Sequence, residues 1–196
     1  MTRAPPAMTP DEIPLFPLKT VLFPGGVLPL RIFEPRYLDM IGRCMKHRQN
    51  FGVLLIVEGS EVGPARTADV GTLAEIVDWH QESDGLLGVT VAGRERFALK
   101  HTSLRDDRLY VGTVSVLEAE PRHALPIEYL YLAKLLKQVL PRIGGSYRHL
   151  NEDYEDATWV GYRLAEVLPL SLEDRQACLE MEDPLARLEK LSGTFN

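Results

Sequence analysis

Asp78, His80 and Ser83, with Trp79 among them, are the residues whose types and closeness most suggest chemistry. An acid, an imidazole and a hydroxyl are the parts of an activated nucleophile, which needs a base within hydrogen-bond reach and a third group to orient it. The spacing speaks against that reading. Neighbouring residues of a strand face opposite ways, so the stretch reads as a solvated strand end and turn. Glu152, Asp153, Glu155 and Asp156 form an acidic group that suggests a cation site, but negative charge at the start of a helix accounts for it more simply. The five histidines, His47, His80, His101, His123 and His149, never take the i, i+4 spacing that puts two ligands on one helix face. There is no Cys-x-x-Cys pair, no phosphate-wrapping Gly-x-x-x-x-Gly-Lys-Ser/Thr loop and no Gly-x-Ser-x-Gly elbow. No catalytic residue, metal site or cofactor is therefore expected.

Other charged residues read as structural. Arg36, beside Glu34 and Tyr37, is expected to pair with a carboxylate or with carbonyls, while the Tyr37 ring packs inward. Arg96, next to the inward-facing Phe97, reads the same way. Gly93 is predicted to lie in a turn between two strands, where a positive φ would suit it.

The elements that position these residues begin with an apolar, proline-broken run over 13–37. Pro14, Pro17, Pro24 and Pro29 remove backbone donors and exclude long ladders. An edge strand, a tight reversal at Gly25-Gly26 and a second strand ending at Ile32-Phe33 are predicted. Glu34-Pro35 starts a helix with an apolar stripe of Tyr37, Leu38, Ile41, Cys44 and Met45, and Lys46, His47 and Arg48 complement its C-terminal end. Phe51–Val57 is an unbroken apolar run suited to the centre of a sheet, and Glu58–Asp69 reads as a loop. Strands follow over Val70–Trp79, Gly85–Ala92, Arg94–His101 and Leu109–Leu117. From Ala124 onward the pattern is helical. One helix over Ile127–Val139 ends at Pro141, and Gly144-Gly145-Ser146 opens a polar connection. Later helices are capped near Asn151–Asp156, Ser171 and Asp183. The fold class is α+β, with a flexible tail over 1–10, a β-rich lobe over 11–120 and a helical bundle lobe over 121–196.

Bulk composition narrows the partners. The 196 residues are 45% hydrophobic and 26% charged, ordinary for a globular protein large enough to bury a core. The formal net charge of −6 disfavours a nucleic-acid partner, since backbone binding needs a basic footprint. Cys44 and Cys178 read as buried free thiols in a reducing compartment. The leader lacks the apolar core of a secretory signal, and no run reaches the roughly 20 apolar residues that span a bilayer. A cytoplasmic protein with no membrane partner is expected.

The opening run also carries a resemblance. Pro14 to Leu18 read Pro-Leu-Phe-Pro-Leu. Phe23, Pro24 and Gly25 follow, and then Leu30, Ile32, Phe33, Glu34, Arg36 and Tyr37 form Leu-x-Ile-Phe-Glu-x-Arg-Tyr. Val70-Gly71-Thr72, Asp84-Gly85, Gly93 with Arg96-Phe97, Leu168-Pro169-Leu170, Arg175-Gln176 and Arg187-Leu188 continue it in order. The chain thereby resembles the substrate-binding, amino-terminal domain of ATP-dependent Lon proteases. The resemblance implies a PUA-like, curled mixed sheet or pseudo-barrel with one early helix, followed by the helical lobe. Pro17, Phe23, Pro24, Gly25, Phe33, Glu34, Arg36, Tyr37, Gly93, Arg96 and Phe97 are then residues of a structural motif. It further implies a non-catalytic module for unfolded or extended polypeptides, without the Lon ATPase and serine–lysine protease parts. Clients would pass to a separate ATPase or protease, or stay with a module acting alone. Phe23 and Trp79, both near predicted strand ends, are the expected lining residues of the binding groove. The competing reading is a small-ligand protein or enzyme whose site is assembled from dispersed residues such as Arg31, Glu34 and His80.

Overall fold

The computed structural model describes residues 12–61, 63, 65–143 and 151–195. The expected tail over 1–10 and the connection at Gly144-Gly145-Ser146 lie outside the described residues. Strand β1 (Glu12–Leu18) holds both Pro14 and Pro17 but is not the simple edge strand expected of them. It changes partner halfway. Glu12–Pro14 pair antiparallel with Thr113–Val111 of β7 (Tyr110–Val116), and Leu15–Leu18 pair parallel with Gly52–Leu55 of β3 (Phe51–Gly59). Each half of β1 has one ladder, so the missing proline donors need not interrupt a two-sided one.

The parallel β1–β3 pair closes a ring in the order β1-β7-β6-β5-β3. Strand β2 (Val27–Ile32) joins this ring along β6, and β4 (Ala65–Thr67) joins along β3. β4 falls inside the segment expected to be a loop. β2 stops at Ile32, and Phe33 beyond it is exposed. The two strands expected on either side of Gly93 are one strand, β6 (Leu87–Leu104), paired with β5 (Val70–Gln81) through Gly93 itself. Gly93 does not have positive φ. It is needed for space: a Cβ there would lie inside van der Waals distance of the Phe23 carbonyl oxygen. The Phe23–Gly26 corner docks on it, with Gly25 N–H donating to the Gly93 carbonyl (2.8 Å) and Gly93 N–H donating to that of Gly26 (2.8 Å).

Helix α1 (Pro35–His47) starts on Pro35 and buries Tyr37, Met40, Ile41 and Cys44 against the ring. Phe16 stacks on Tyr37 with centroids 3.9 Å apart. Arg48, at φ 51°, ends the helix. A short 3-10 turn (Ile127–Tyr129) leads into α2 (Leu130–Ile143), which passes through Pro141 instead of ending there. Pro141 has no N–H to give the turn before it, so it weakens that turn without ending the helix. Three further helices, α3 (Ala157–Val167), α4 (Leu172–Glu180) and α5 (Pro184–Ser192), begin on Asp156, Ser171 and Asp183, each accepting from backbone N–H groups of its first turn. Val21, Phe23, Leu55 and Ala68 are buried with Leu132, Leu136, Val160, Leu164 and Leu188 in one cluster that joins β3 and its neighbouring loops to the helices.

Candidate functional site

Phe23 has no accessible surface and packs on Tyr162 with centroids 5.5 Å apart. This corrects its expected place in a binding groove. The preceding apolar run buries Phe23 between sheet and helices, where its ring anchors the fold. Trp79 is placed differently. It is 59% exposed and lines a groove of about 470 Å³ between the end of α1 and the outer half of β5. Met45 and Val77 stand in the same groove, both exposed, with Arg48 and Asn50 on the helix side and Glu75 and Asp78 on the strand side.

The local sequence explains the groove. The stripe Tyr37–Met40–Ile41–Cys44 faces the core, and the next residue, Met45, is rotated about 100° away from it on a 3.6-residue helix. β5 keeps β3 as a neighbour only over Thr72–Ala74, paired with Val53–Phe51. Beyond that, β6 is its strand partner among the described residues. The Trp79 N–H donates to the Asp78 carboxylate (2.8 Å) instead of to a strand.

Asp78, His80 and Ser83 each have separate surroundings. His80 Nε2 lies 3.2 Å from Glu82 Oε1, the Asp78 carboxylate holds the Trp79 amide, and Ser83 is exposed. Arg31 is ion-paired with Asp84, and Glu34 with Arg36 at 2.8 Å. The dispersed set Arg31, Glu34 and His80 is thus divided among three separate pairs. Arg36 also donates to the carbonyls of Arg108 (2.8 Å) and Glu61 (3.1 Å), tying α1 to two loops, and its guanidinium lies 4.6 Å from the Tyr37 ring centroid. Burial pushes the Tyr37 hydroxyl up to about 12 and the Cys44 thiol up to about 11, so Cys44 is a poor nucleophile near neutral pH. Asp153 pairs with Arg122, at 3.0 and 3.1 Å, and Asp156 caps α3. Among the described residues no group of three or more acidic, histidine or cysteine side chains is placed to hold a metal.

Two buried polar centres lie elsewhere, and of their residues only Arg96 carries a pairing role in the sequence reading. Glu120 accepts from Arg187 Nη1 (2.9 Å), Arg187 Nη2 (2.6 Å) and the Tyr162 hydroxyl, and forms an ion pair with Arg96 (3.3 Å). Arg96 and Arg187 also donate to the terminal carbonyls of α4: Arg96 to Leu179 (2.8 Å) and Met181 (3.0 Å), Arg187 to Cys178 (2.8 Å). In the second centre, Arg163 pairs with Glu166 (3.0 Å) and donates to the Pro24 carbonyl (2.9 Å). Burial outweighs Arg163 and Arg175 there and pushes the Glu166 carboxyl up to about 7.

Residues 12–194 match the family model described as the ATP-dependent protease La (LON) substrate-binding domain. The chain is 28% identical over 191 residues to Lon protease of Escherichia coli strain K12, covering 92% of this chain, and 27% identical over 208 residues to Lon protease 2 of Myxococcus xanthus. It spans about a quarter of the length of these relatives, 24% and 25% respectively. The crystal structure of a Lon N-terminal domain protein from Xanthomonas campestris superposes with a TM-score of 0.77 at 38% identity, covering 93% of this chain and 97% of that one. The N-terminal domain of a Mycobacterium avium complex Lon protease, 20% identical with a TM-score of 0.58 over 92% of this chain and 95% of that one, shares the fold. The α+β architecture with its closed, mixed sheet, the arginine-tied Glu34–Tyr37 motif and this match over nearly the whole chain agree: the chain belongs to the LON substrate-binding domain family.

Proposed function

We propose that this domain binds unfolded or extended polypeptides in the groove beside Trp79 and breaks no bonds itself. The observation that carries the reading is the exposed Met45–Val77–Trp79 wall. A flexible thioether, a branched aliphatic and an indole side by side suit varied apolar side chains. The family's description as substrate-binding points the same way. A separate ATPase or protease would act on the bound chain, and the site of action is the cytoplasm. No helix among the described residues is long and apolar enough to cross a membrane, and the net charge of −6 gives no support to a nucleic-acid partner.

The test is a titration of the full chain with a labelled, reduced and carboxymethylated model protein. Binding at micromolar concentration is expected, with an affinity loss of about tenfold or more in Trp79→Ala, the scale of an aromatic hot spot. Unaltered circular dichroism would show that the variant folds. Absence of binding, or equal binding by Trp79→Ala, would sink the reading.

A further inference from the structure

We propose that the occupant of this groove is an extended segment that adds as a strand along the free edge of β5 at Asp78–Gln81, with a cationic side chain seated against Asp78. The proposal rests on the polypeptide-binding reading above and specifies how the polypeptide is held.

Three observations lead there. The first is backbone direction. Trp79 is the register partner of Val89, yet its N–H donates to the Asp78 side chain. In an antiparallel ladder such a residue belongs to a non-hydrogen-bonded pair, and its backbone groups face outward, as do those of the residue two positions on, Gln81. The neighbouring strand agrees. Thr90 pairs with Asp78 on one side and with Pro29 on the other; Pro29 has no N–H to give, so the ladder bonds of Thr90 belong to Asp78.

The second is a difference between edges. Free edges are commonly blunted by proline, by charge or by shortness. β2 carries Pro29 and Arg31 along its free side, and β4 is three residues long. The outer half of β5, Glu75 to Gln81, is longer than β4 and holds no proline, and its acidic residues are Glu75, paired with Arg94, and Asp78. Its ladder shifts register between Ile76 and Asp78, so the regular edge is Asp78–Gln81. A segment docked there gains few backbone bonds and leaves easily, which suits a module that handles many chains.

The third is charge. Glu75 is neutralised by Arg94, and Glu82 lies beside His80. Among the described residues no cationic group pairs with Asp78. What occupies Asp78 is the Trp79 N–H, the donor an incoming strand carbonyl would take. Release of the carboxylate by that exchange frees it for a lysine or arginine of the guest. Met45 and Val77 then meet the guest's apolar side chains.

The test uses the full chain and a labelled heptapeptide, Thr-Val-Lys-Val-Thr-Val-Thr, beside the same peptide N-methylated at alternate amides. N-methylation is expected to weaken binding about tenfold through loss of two backbone hydrogen bonds. Hydrogen exchange at the Trp79 and Gln81 amides should slow when the unmodified peptide binds. Replacing its lysine with glutamate should cost about threefold, a surface-pair effect, and D78N should erase that difference. Gln81→Pro, which removes an outward donor without a ladder bond, should mimic N-methylation. Equal binding of the N-methylated peptide, protection only at residues outside β5, or pairing of two copies through β5 would overturn the proposal. Retention of the carboxymethylated protein in a Trp79-dependent way, with harmless N-methylation, would leave the groove reading standing and strand addition refuted. Loss of all polypeptide binding would sink both.

Discussion

Arg96, Arg163 and Arg187 are buried, and together they meet two local needs. Arg187 and Arg96 end α4, whose last turn contains no basic residue of its own. The orphan carbonyls of a helix end need donors, and these come from β6 and α5. Arg163 holds the Phe23–Gly26 corner by the Pro24 carbonyl. That corner also dictates Gly93, where any side chain must displace the Phe23 backbone. Gly93→Ala should therefore destabilise the fold by about 2 kcal/mol, the usual cost of overpacking. Chemical denaturation would check this, and a change within about 0.5 kcal/mol, normal for a surface site, would show that the corner can move. Sequence marks Gly93 as special but assigns it a turn, since a glycine needed for close approach and one needed for positive φ are spelled alike. Glu120 is less visible still. Between Ala119 and Pro121 it reads as part of a polar connection, and its three partners come from strand and helices far apart in the chain.

Among the elements, those set by local chemistry were legible. Pro35, Asp156, Ser171 and Asp183 begin helices where a proline or a side-chain acceptor predicts one. Those set by distant pairing were not. β4 exists because three residues find β3, and β6 runs unbroken because β5 pairs along its first part, with β2 on the other side, and β7 along its last. The candidate site followed the same rule: Trp79 is an exposed strand residue by pattern, but its groove needs α1 brought alongside. Asp156 does more than start α3. Its carboxylate accepts from Thr158 (3.3 Å), Trp159 (3.2 Å) and the His123 N–H (3.0 Å), fastening the connection from the sheet to the helices. Asp156→Ala should cost about 2 kcal/mol, the upper range for a cap, read by thermal unfolding. An unchanged melting temperature would show that water replaces the cap.

At the scale of the whole molecule, strands and helices are joined across a centre that titrates. Glu166 is held by burial at about 7, above the usual carboxylate range. The folded state thus binds this proton more tightly than the unfolded chain. Its contribution to stability is full below about pH 4.5 and is lost as the pH rises through about 7. Glu166→Gln, which keeps the shape without the charge, should flatten the fall in stability between pH 5 and 8. The gain at pH 8 is expected on the order of a few kcal/mol. Calorimetry across that range would check it; parallel curves for the two proteins would assign the pH dependence elsewhere.

The closure of the sheet by its first strand has a consequence during synthesis. Ribosomes deliver residues 12–18 before either partner strand: the halves of β1 wait for β3 and, nearly a hundred positions after β1 itself, for β7. Until then a nascent chain carries an apolar ribbon with at least one neighbour missing, and contacts of such separation form slowly. Truncations that end at Leu109 should be less soluble than those that end at Val116, although the two differ only by the seven residues of β7.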